Sequence, residues 1–418
     1  MSTSQWSSTN SLTTKSSYAP NIEEAVLAST HTPQNSQQGY SISITADKSR
    51  VIVGAPYANN AGAAYIFYKS GSSWILEGTM YNSDYGNKMF GASVDIDATG
   101  TRCIIGAPTA YYYYNGTPYN TVGCAYIYVR TGASWNLEFG LYPHHYNSYG
   151  TKAGFSVSIT NNGDIAIMGA PYDNGGASEC GSVYIYTRTT NWSPEPIRIY
   201  GSNTSSSRFG SSVSIASDGS RLIVGEDRNS QNGYTSAGKT YIFKNNSGTW
   251  SQEAVLVPSD RQNGDYFGCS VDIDSTGTRV IIGASQAGFS LQKGKAYIFT
   301  RSGTTWTQEA KLIASNGNYD DYFAWSVAIT GAGDRAVIGA PYCDSTYQNS
   351  GRVYVFGRSG TNWSQQGIIT GSNGYSIPTD AYFGYSVGIS NDGLKIVAGA
   401  INSEASGYAN GGAGYIFT

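Results

Sequence analysis

Histidine is the side chain that most often does acid–base chemistry near neutral pH, and this chain has three, His31, His144 and His145. A general base needs a group that orients it and a pocket that holds its substrate. The sequence contains neither a Ser-His-Asp arrangement nor an HExxH motif. His144 and His145 are adjacent and could bind a metal, but an exposed loop is the favoured interpretation. We therefore expect no enzymatic activity, no catalytic residue and no cofactor.

Two close carboxylate pairs, Asp95 with Asp97 and Asp272 with Asp274, are the next candidates for metal chemistry. Calcium takes about six to eight oxygen ligands, so its loops are long and rich in carboxylates. The segments here are short, and Asp97-Ala-Thr-Gly100 has the Asp and Gly positions of a type I turn. We expect Asp97 and Asp274 to begin turns, their Asp partners to be solvated or hydrogen-bonded, and no metal to bind.

The five cysteines do not form a recognisable framework, because their number is odd and no CxxC pair is present. We interpret them as small apolar packing residues. They are Cys103, Cys124, Cys180, Cys269 and Cys343.

Composition excludes several classes of protein. The chain has 418 residues with 52 Gly, 35 Tyr and only 13% charged residues, which favours short strands and tight turns over long helices. A net charge of −3 argues against a nucleic-acid partner. No apolar run approaches the ~18 residues of a membrane span, and Met1–Pro20 shows no apolar core of a secretory signal.

The dominant feature is an internal repeat of seven units. A serine in a Ser-Val-x-Ile stretch recurs at intervals of 52 to 63 residues. These serines are Ser41, Ser93, Ser156, Ser212, Ser270, Ser326 and Ser386. Each unit predicts four strands, a to d: Ser-Val-x-Ile, Arg-x-Ile-Ile-Gly-Ala, Ala-Tyr-Ile-Phe and Trp-x-x-Glu-Ala-x-Leu.

Seven four-stranded antiparallel units indicate a β-propeller, with an open solenoid as the alternative. The seventh unit lacks strand d after Tyr415–Phe417, whereas Glu23–Leu27 near the N-terminus matches an orphan strand d. We therefore predict an all-β, seven-bladed β-propeller of four-stranded antiparallel blades, closed by an N-terminal strand that completes the last blade. Residues 1–20 form a Ser/Thr-rich tail, and residues 21–418 form a single propeller domain.

The repeat resembles the FG-GAP repeat, best known from the propeller of integrin alpha chains. Phe90-Gly91 followed by Gly106-Ala107-Pro108 carries the resemblance most clearly. The Phe recurs at Phe209, Phe267, Phe323 and Phe383, and Gly-Ala-Pro recurs from Gly54, Gly169 and Gly339. The resemblance implies a binding or adhesion scaffold at an extracellular or particle surface, either as an adhesion-type module or in a larger assembly. Integrin-type repeats often carry an acidic calcium loop between strands a and b, and here that loop has shrunk to a turn.

In a repeat protein, residues present in every unit are expected to be framework, and functional residues are expected where the repeat is broken. The framework prediction covers the strand-c tyrosines, the strand-d tryptophans and glutamates, and the strand-b arginines. The a-to-b and c-to-d turns share one face and are short and alike. The b-to-c and d-to-a loops share the other face and vary.

The variable loops around blade 2 are rich in Tyr, a residue that recognition loops favour because it buries much area at little entropic cost. We predict a binding site there, formed by Tyr111, Tyr112, Tyr113, Tyr114, Tyr119, Tyr142, His144, His145, Tyr146 and Tyr149. The expected partner is a protein that docks on the b-to-c and d-to-a loops. A carbohydrate-binding, lectin-like propeller is the alternative, since tyrosines also stack on sugars.

Overall fold

Seven four-stranded antiparallel sheets make up the protein in a computed structural model, together with a separate two-stranded hairpin. The structure describes residues 22–29, 33–81, 88–114, 117–119, 121–143, 150–174, 176–230, 233–286, 293–345, 347–371, 379–405 and 407–418. A search of these residues finds no helix with the length and apolarity needed to cross a membrane. The all-β, seven-bladed prediction is confirmed.

Each blade runs from strand a at the centre of the ring to strand d at its periphery. Blade 1 consists of β2 Ser41–Ile44, β3 Arg50–Ala55, β4 Ala63–Ser70 and β5 Ser73–Tyr81. Blade 2 consists of β6 Ser93–Ile96, β7 Arg102–Ala107, β10 Cys124–Thr131 and β11 Ser134–Leu141. Blade 3 consists of β12 Ser156–Ile159, β13 Ile165–Ala170, β14 Ser182–Thr187 and β15 Ile197–Tyr200. The hairpin is β8 Tyr112–Tyr114 and β9 Thr117–Tyr119, and a short 3₁₀ turn covers Ala58–Asn60.

Blades 4 to 7 continue the same order. Blade 4 consists of β16 Phe209–Ile215, β17 Arg221–Glu226, β18 Lys239–Asn246 and β19 Thr249–Leu256, and blade 5 consists of β20 Val271–Ile273, β21 Arg279–Ala284, β22 Lys295–Ser302 and β23 Thr305–Leu312. Blade 6 consists of β24 Ser326–Ile329, β25 Arg335–Ala340, β26 Arg352–Ser359 and β27 Asn362–Ile369. Blade 7 consists of β28 Phe383–Ile389, β29 Ile396–Ala400, β30 Ala413–Phe417 and the N-terminal β1 Glu23–Leu27.

The ring closes through strand β1. It pairs antiparallel with β30, with Val26 opposite Tyr415 and Leu27 opposite Gly414. Blade 7 therefore takes its outer strand from the start of the chain, as the sequence predicts. Closure removes the open edge that a three-stranded blade would leave.

The repeated serine ties each blade to the next. In six blades its Oγ donates a hydrogen bond of 2.7 to 2.9 Å to the carbonyl oxygen of the glycine after the phenylalanine position of the following blade. One such glycine, Gly91, has φ +90°, and a Cβ there would lie 2.3 Å from the carbonyl oxygen of Ala63. A side chain at Gly91 would therefore clash with the neighbouring backbone. The bond from Ser386 to Gly39 repeats the contact across the ring closure.

The strand-c tyrosines are buried at the centre of every blade, and the repeat phenylalanines join them in five blades. All seven tyrosines are at most 7% exposed. In five blades the phenylalanine ring packs against the tyrosine ring of its own blade at 5.3 to 5.6 Å between centroids. The interpretation of the strand-c tyrosines as framework is confirmed.

The outer arginines, glutamates and tryptophans form contacts that join neighbouring blades. Arg50 pairs with Glu77 of its own blade at 2.7 Å, and Trp135 of the next blade donates to the same carboxylate at 3.1 Å. The pattern recurs twice, as Arg102, Glu138 and Trp192, and as Arg221, Glu253 and Trp306. One glutamate therefore joins two blades, which explains why the three residue types recur together.

The same glutamate contact joins blade 7 to blade 1 at the ring closure, with a lysine in the place of the arginine. Glu24 of β1 accepts a bond of 3.2 Å from Trp74 Nε1 of blade 1, and Lys395 of β29 replaces the arginine. Gln38 occupies the phenylalanine position of blade 1 and is fully buried. Its amide donates to the carbonyl oxygen of Leu27 at 3.1 Å and accepts from the N–H of Ser29 at 3.1 Å. This departure from the repeat holds β1 in place.

Blade 3 departs from the predicted strand d. Trp192 lies outside β15 and forms an isolated bridge with Arg188, because Pro194 and Pro196 cannot donate to the ladder. Its indole is nevertheless 5% exposed and reaches Glu138. The tryptophan therefore keeps its place while its strand is shortened.

The predicted Asp turns are confirmed. The carboxylate of Asp97 accepts bonds from the N–H groups of Thr101 and Arg102, both at 2.8 Å, and Asp274 accepts from Thr278 N–H at 2.6 Å. Asp95 and Asp272 point into the central channel, and each accepts a backbone N–H of the next blade, from Ile159 at 2.9 Å and from Ile329 at 2.8 Å. These two carboxylates are therefore hydrogen-bonded, as one of the two expected alternatives has it.

The cysteines behave as packing residues. Four of the five are buried and Cys269 is half-buried, and all five are free thiols. Within the described residues, no group of three or more His, Cys, Asp or Glu side chains is arranged to hold a metal ion.

Stability is expected to change with pH in two opposite steps. Burial raises the pKa of Asp272 to about 6 even though it accepts hydrogen bonds, so its charged form disfavours the fold and acidification from pH 7 to about 5 relieves that penalty. At the interblade glutamates burial raises the pKa, but the hydrogen bonds from arginine and tryptophan bring it below 4.5. The stability that these glutamates contribute is present above pH 4.5 and is lost below it. Melting temperature should therefore hold or rise between pH 7 and 5 and fall below 4.5.

The variant Asp272→Asn separates the expected change in stability between pH 7 and 5 from the expected loss below pH 4.5. The amide is neutral at all pH values, so the difference in melting temperature between the variant and the wild type should change between pH 7 and 5. The fall below pH 4.5 should remain in the variant. A difference that is the same at every pH would contradict the assignment of the first step to Asp272.

Candidate functional site

The two faces of the ring differ in their exposed tyrosines. The b-to-c and d-to-a loops form one face, called here the variable face, and the a-to-b and c-to-d turns form the other, called the turn face. All eight of the most exposed tyrosines in the described residues lie in the loops of the variable face or at the strand ends that adjoin it. They are Tyr57, Tyr81, Tyr111, Tyr200, Tyr234, Tyr319, Tyr347 and Tyr408.

The predicted tyrosine run of blade 2 forms a hairpin instead of an irregular loop. Strand β8 pairs antiparallel with β9, with Tyr112 opposite Tyr119 and Tyr114 opposite Thr117. Asn115-Gly116 separates these strands in the sequence, and Asn-Gly is the strongest short-range signal for a hairpin. Tyr111, just before the hairpin, is 41% exposed. The b-to-c loop of blade 2 therefore contains a two-stranded hairpin, which the other blades lack among the described residues.

The other predicted site residues have different outcomes. Tyr142 is half-buried and packs edge to face on Tyr126 at 6.5 Å, so its ring contributes to the scaffold. His144, His145, Tyr146 and Tyr149 lie outside the described residues. The side chains of Tyr112, Tyr113, Tyr114 and Tyr119 are also outside the description, although their backbone is within it.

A cavity of about 680 Å³ opens at the centre of the variable face, and we call it the central funnel. It forms where strands a begin and strands b end, so each blade contributes residues from equivalent positions. The first position precedes the repeat serine: Tyr40, Ala92, Phe155, Ser211, Cys269, Trp325 and Tyr385. The second position precedes the repeat phenylalanine, and its residues in the funnel are Met89, Lys152, Arg208 and Tyr266. The third position follows strand b, and its residues in the funnel include Tyr57, Thr109, Tyr172, Arg228 and Gln286.

The backbone at the second position has the same conformation in all seven blades. Its φ lies between +50° and +61°, although none of the residues is glycine. They are Gln37, Met89, Lys152, Arg208, Tyr266, Tyr322 and Tyr382. A non-glycine residue in this left-handed region costs of order 1 kcal/mol or more and persists only where the surroundings enforce it. The fold therefore fixes the backbone at these seven variable positions, and four of them line the funnel.

One half of the funnel, formed by blades 6, 7 and 1, is aromatic. Seven rings from these blades, four of which line the funnel, make a continuous series with neighbouring centroids 4.8 to 6.5 Å apart. In order they are Tyr57, Tyr40, Tyr385, Trp325, Tyr342, Tyr322 and Tyr382, with Tyr342 contacting both of the last two. Burial raises the pKa of Tyr40 and Tyr385, so both phenols remain neutral at physiological pH.

The opposite half, formed by blades 3, 4 and 5, is cationic. Lys152 Nζ lies 4.5 Å and Arg208 Cζ 4.7 Å from the ring centroid of Tyr172. Arg228 Cζ lies 5.6 Å from the ring centroid of Tyr266. Cations over aromatic faces gain a favourable interaction that also fixes their position.

Asp227 lies beside the two arginines and lines the funnel. Burial raises the pKa of this carboxyl to about 6, against the attraction of Arg208 and Arg228, which lowers it. Its side chain is 9% exposed, and its Oδ1 has no hydrogen-bond partner among the described residues. With three cations and one carboxylate, this half of the funnel has a formal charge of +2 when Asp227 is ionised.

The central funnel was not predicted, although a signal for it was present. Within an otherwise regular Phe-Gly-x-Ser pattern, the residue before the serine changes from tyrosine to alanine, phenylalanine, serine, cysteine and tryptophan between blades. The rule that functional residues lie where the repeat is broken therefore applies inside the motif as well as in the loops. These positions line one cavity because the blades are arranged in a ring, and the sequence alone does not show that they meet.

Comparison with protein families supports the repeat assignment. A family model described as FG-GAP repeat matches residues 250–299, 306–356 and 363–417. Each match begins in or close to a strand d and continues through strands a, b and c of the next blade. A comparison with curated proteins found no match. The protein is therefore a seven-bladed β-propeller in which three segments match the FG-GAP repeat.

Proposed function

We propose that this propeller is a non-enzymatic binding module that docks a protein partner on its variable face. The observation that carries the proposal is the placement of all eight of the most exposed tyrosines of the described residues on that face. Tyrosine supplies large, rigid contact area and a hydroxyl for hydrogen bonds, and it is enriched in recognition surfaces. FG-GAP propellers commonly serve as protein-interaction modules, which supports this use of the fold.

The centre of the docking surface is proposed to be the β8–β9 hairpin and the d-to-a loop that follows blade 2. The hairpin brings four tyrosines of the predicted site onto two paired strands, and Tyr111 at its base is exposed. The predicted residues His144, His145, Tyr146 and Tyr149 belong to the adjoining loop. An adhesion module or a component of a larger assembly at an extracellular or particle surface is the biological setting that the family resemblance favours.

Replacing Tyr111, Tyr112, Tyr113 and Tyr114 together with serine is expected to abolish partner binding while leaving the fold intact. Single truncations at a binding hot spot cost about 2 kcal/mol or more, and four together should exceed the affinity of a typical partner. The measurement is recovery of partner proteins from surface extracts of the source organism by immobilised wild-type and variant propeller, followed by titration with the purified partner. Unchanged melting temperature shows that the blades are intact.

Two control variants place the site on the ring. Tyr347→Ser with Tyr408→Ser alters the variable face at blades 6 and 7, and Lys244→Gln alters the turn face at blade 4. Both controls should keep binding. Loss of binding in the turn-face variant, with full binding by the tyrosine variant, would contradict the proposal. A glycan array run beside the protein experiment tests the lectin alternative.

A further inference from the structure

We propose that the cationic half of the central funnel binds a carboxylate-bearing saccharide, such as a uronate residue. This site is separate from the β8–β9 hairpin and goes beyond the proposed docking of a protein. Three properties of the funnel carry the inference: unpaired cations, an unpartnered buried acceptor and flat aromatic walls.

The three cations of the funnel outnumber the carboxylates beside them, since Asp227 is the one acidic residue that lines the funnel among the described residues. Lys152, Arg208 and Arg228 form no ion pair with a carboxylate of the described residues. The undescribed residues contain a single acidic side chain, Asp84. Each guanidinium lies over a tyrosine ring, and the N–H donors of a guanidinium lie along the edge of its plane. A planar carboxylate is the natural partner for such an edge.

The unpartnered acceptor restricts the ligand further. Asp227 Oδ1 is buried and has no hydrogen bond among the described residues, a state that is unfavourable unless a ligand or water supplies a donor. Because Asp227 lies beside Arg208 and Arg228, a ligand that pairs with these arginines also comes close to it. The ligand therefore combines an anionic group with a hydrogen-bond donor a short distance away.

A sugar acid meets these requirements within one ring. Its carboxylate faces the cations, its hydroxyls donate to the carboxylate of Asp227, and its C–H face packs on an aromatic wall. Phe155 supplies such a wall because its ring lines the cavity and is 42% exposed. The cavity of about 680 Å³ is within the range of small-molecule sites, roughly 300 to 1,000 Å³.

An acidic peptide is the less favoured occupant. An ionised Asp or Glu side chain has only acceptors, so a main-chain N–H would have to reach the buried Asp227 within a concave site. The binding positions are also rigid, since Lys152 and Arg208 are held at φ +52° and +61°. A small ring with its groups at fixed separations fits a rigid site better than an extended chain does.

The test is calorimetric titration of the full-length protein with disaccharides that end in glucuronic or galacturonic acid. Their neutral counterparts ending in glucose or galactose, and a short glutamate-rich peptide, are titrated in parallel. We expect the acidic saccharides to bind at least tenfold more tightly than the neutral ones, because a charged hydrogen-bonded pair contributes about 1.5 to 3 kcal/mol. Affinity should also fall with added salt.

Two variants and one control assign the site. Arg208→Asn removes the charge while keeping a residue that tolerates the left-handed backbone, and Arg228→Gln removes an exposed charge. Each is expected to reduce the affinity for the acidic saccharides about tenfold without changing the melting temperature. Lys244→Gln, on the turn face, should bind as the wild type does. The tyrosine-to-serine variant of the hairpin should also keep saccharide binding, so failure of one proposal does not decide the other.

Several results would overturn the inference. Equal affinity for acidic and neutral saccharides would remove the role of the cations. Binding of the glutamate peptide alone would make the funnel a site for acidic polypeptide. No binding of any acidic saccharide at millimolar concentration, or unchanged affinity in both arginine variants, would exclude the site.

Discussion

Deletion of residues 1–27 is expected to leave a protein that aggregates or loses most of its stability. Strand β1 would be missing, and the backbone of β30 would become an open edge that can pair with another chain. Leu27, which is 1% exposed, contributes about 2 kcal/mol of apolar burial. Gln38, which is buried, would lose the Leu27 carbonyl oxygen to which its side-chain amide donates, at about 1 to 3 kcal/mol. These two losses together come to about 3 to 5 kcal/mol, a large part of the total stability of many folded domains, about 5 to 15 kcal/mol.

A shorter deletion is the matched control. Removal of residues 1–21 leaves β1 and its contacts with Lys395 and Trp74 in place, so melting temperature should change little. Size-exclusion chromatography and thermal unfolding of both proteins separate the tail from the strand. A monomeric protein without residues 1–27 that melts as the wild type does would disprove the closure mechanism.

Trp192→Ala is expected to have the largest effect of any single substitution in the outer framework, a loss of about 3 to 5 kcal/mol in the free energy of unfolding. Trp192 is 5% exposed and packs in the cluster between blades 2 and 3. Its Nε1 donates to Glu138 at 3.1 Å, and Glu138 also pairs with Arg102 at 2.8 Å. The substitution creates a cavity and removes one donor from an interblade carboxylate.

Two further variants divide this effect into its parts. Trp192→Phe keeps most of the packing and should cost less, with about 1 kcal/mol of the loss from the hydrogen bond. Leu137→Ala, at an outer position of blade 2 that is 56% exposed, should change stability by less than about 0.5 kcal/mol. Denaturation by urea gives the three values. A Trp192→Ala protein as stable as the Leu137→Ala protein would show that the interblade contact contributes little.

The sequence by itself determines the repeat, the number of blades and the closure of the ring. These properties depend on short segments whose strand and turn preferences are local, such as Asp97–Gly100 and the Ser-Val-x-Ile strands. The match of Glu23–Leu27 to a strand d places it against Tyr415–Phe417 for the same reason. The sequence also separates framework residues from variable ones, because each framework residue recurs in phase.

The partnerships among these residues come only from the tertiary structure. Glu77 was predicted to be framework, but its simultaneous contact with Arg50 and with Trp135 of the next blade depends on the angle between neighbouring blades. Gln38 interrupts the repeat at its phenylalanine position, and its role in holding β1 follows only from the closed ring.

The central funnel shows the same limit for function. Lys152 and Arg208 are 56 residues apart in the chain and belong to different blades, yet both contact the ring of Tyr172. A conspicuous run such as Tyr111–Tyr114 is local and can be found by inspection. A site assembled from one residue in each of several blades cannot be found by inspecting the sequence. Its side chains are brought together by the curvature of the ring and not by their order in the chain.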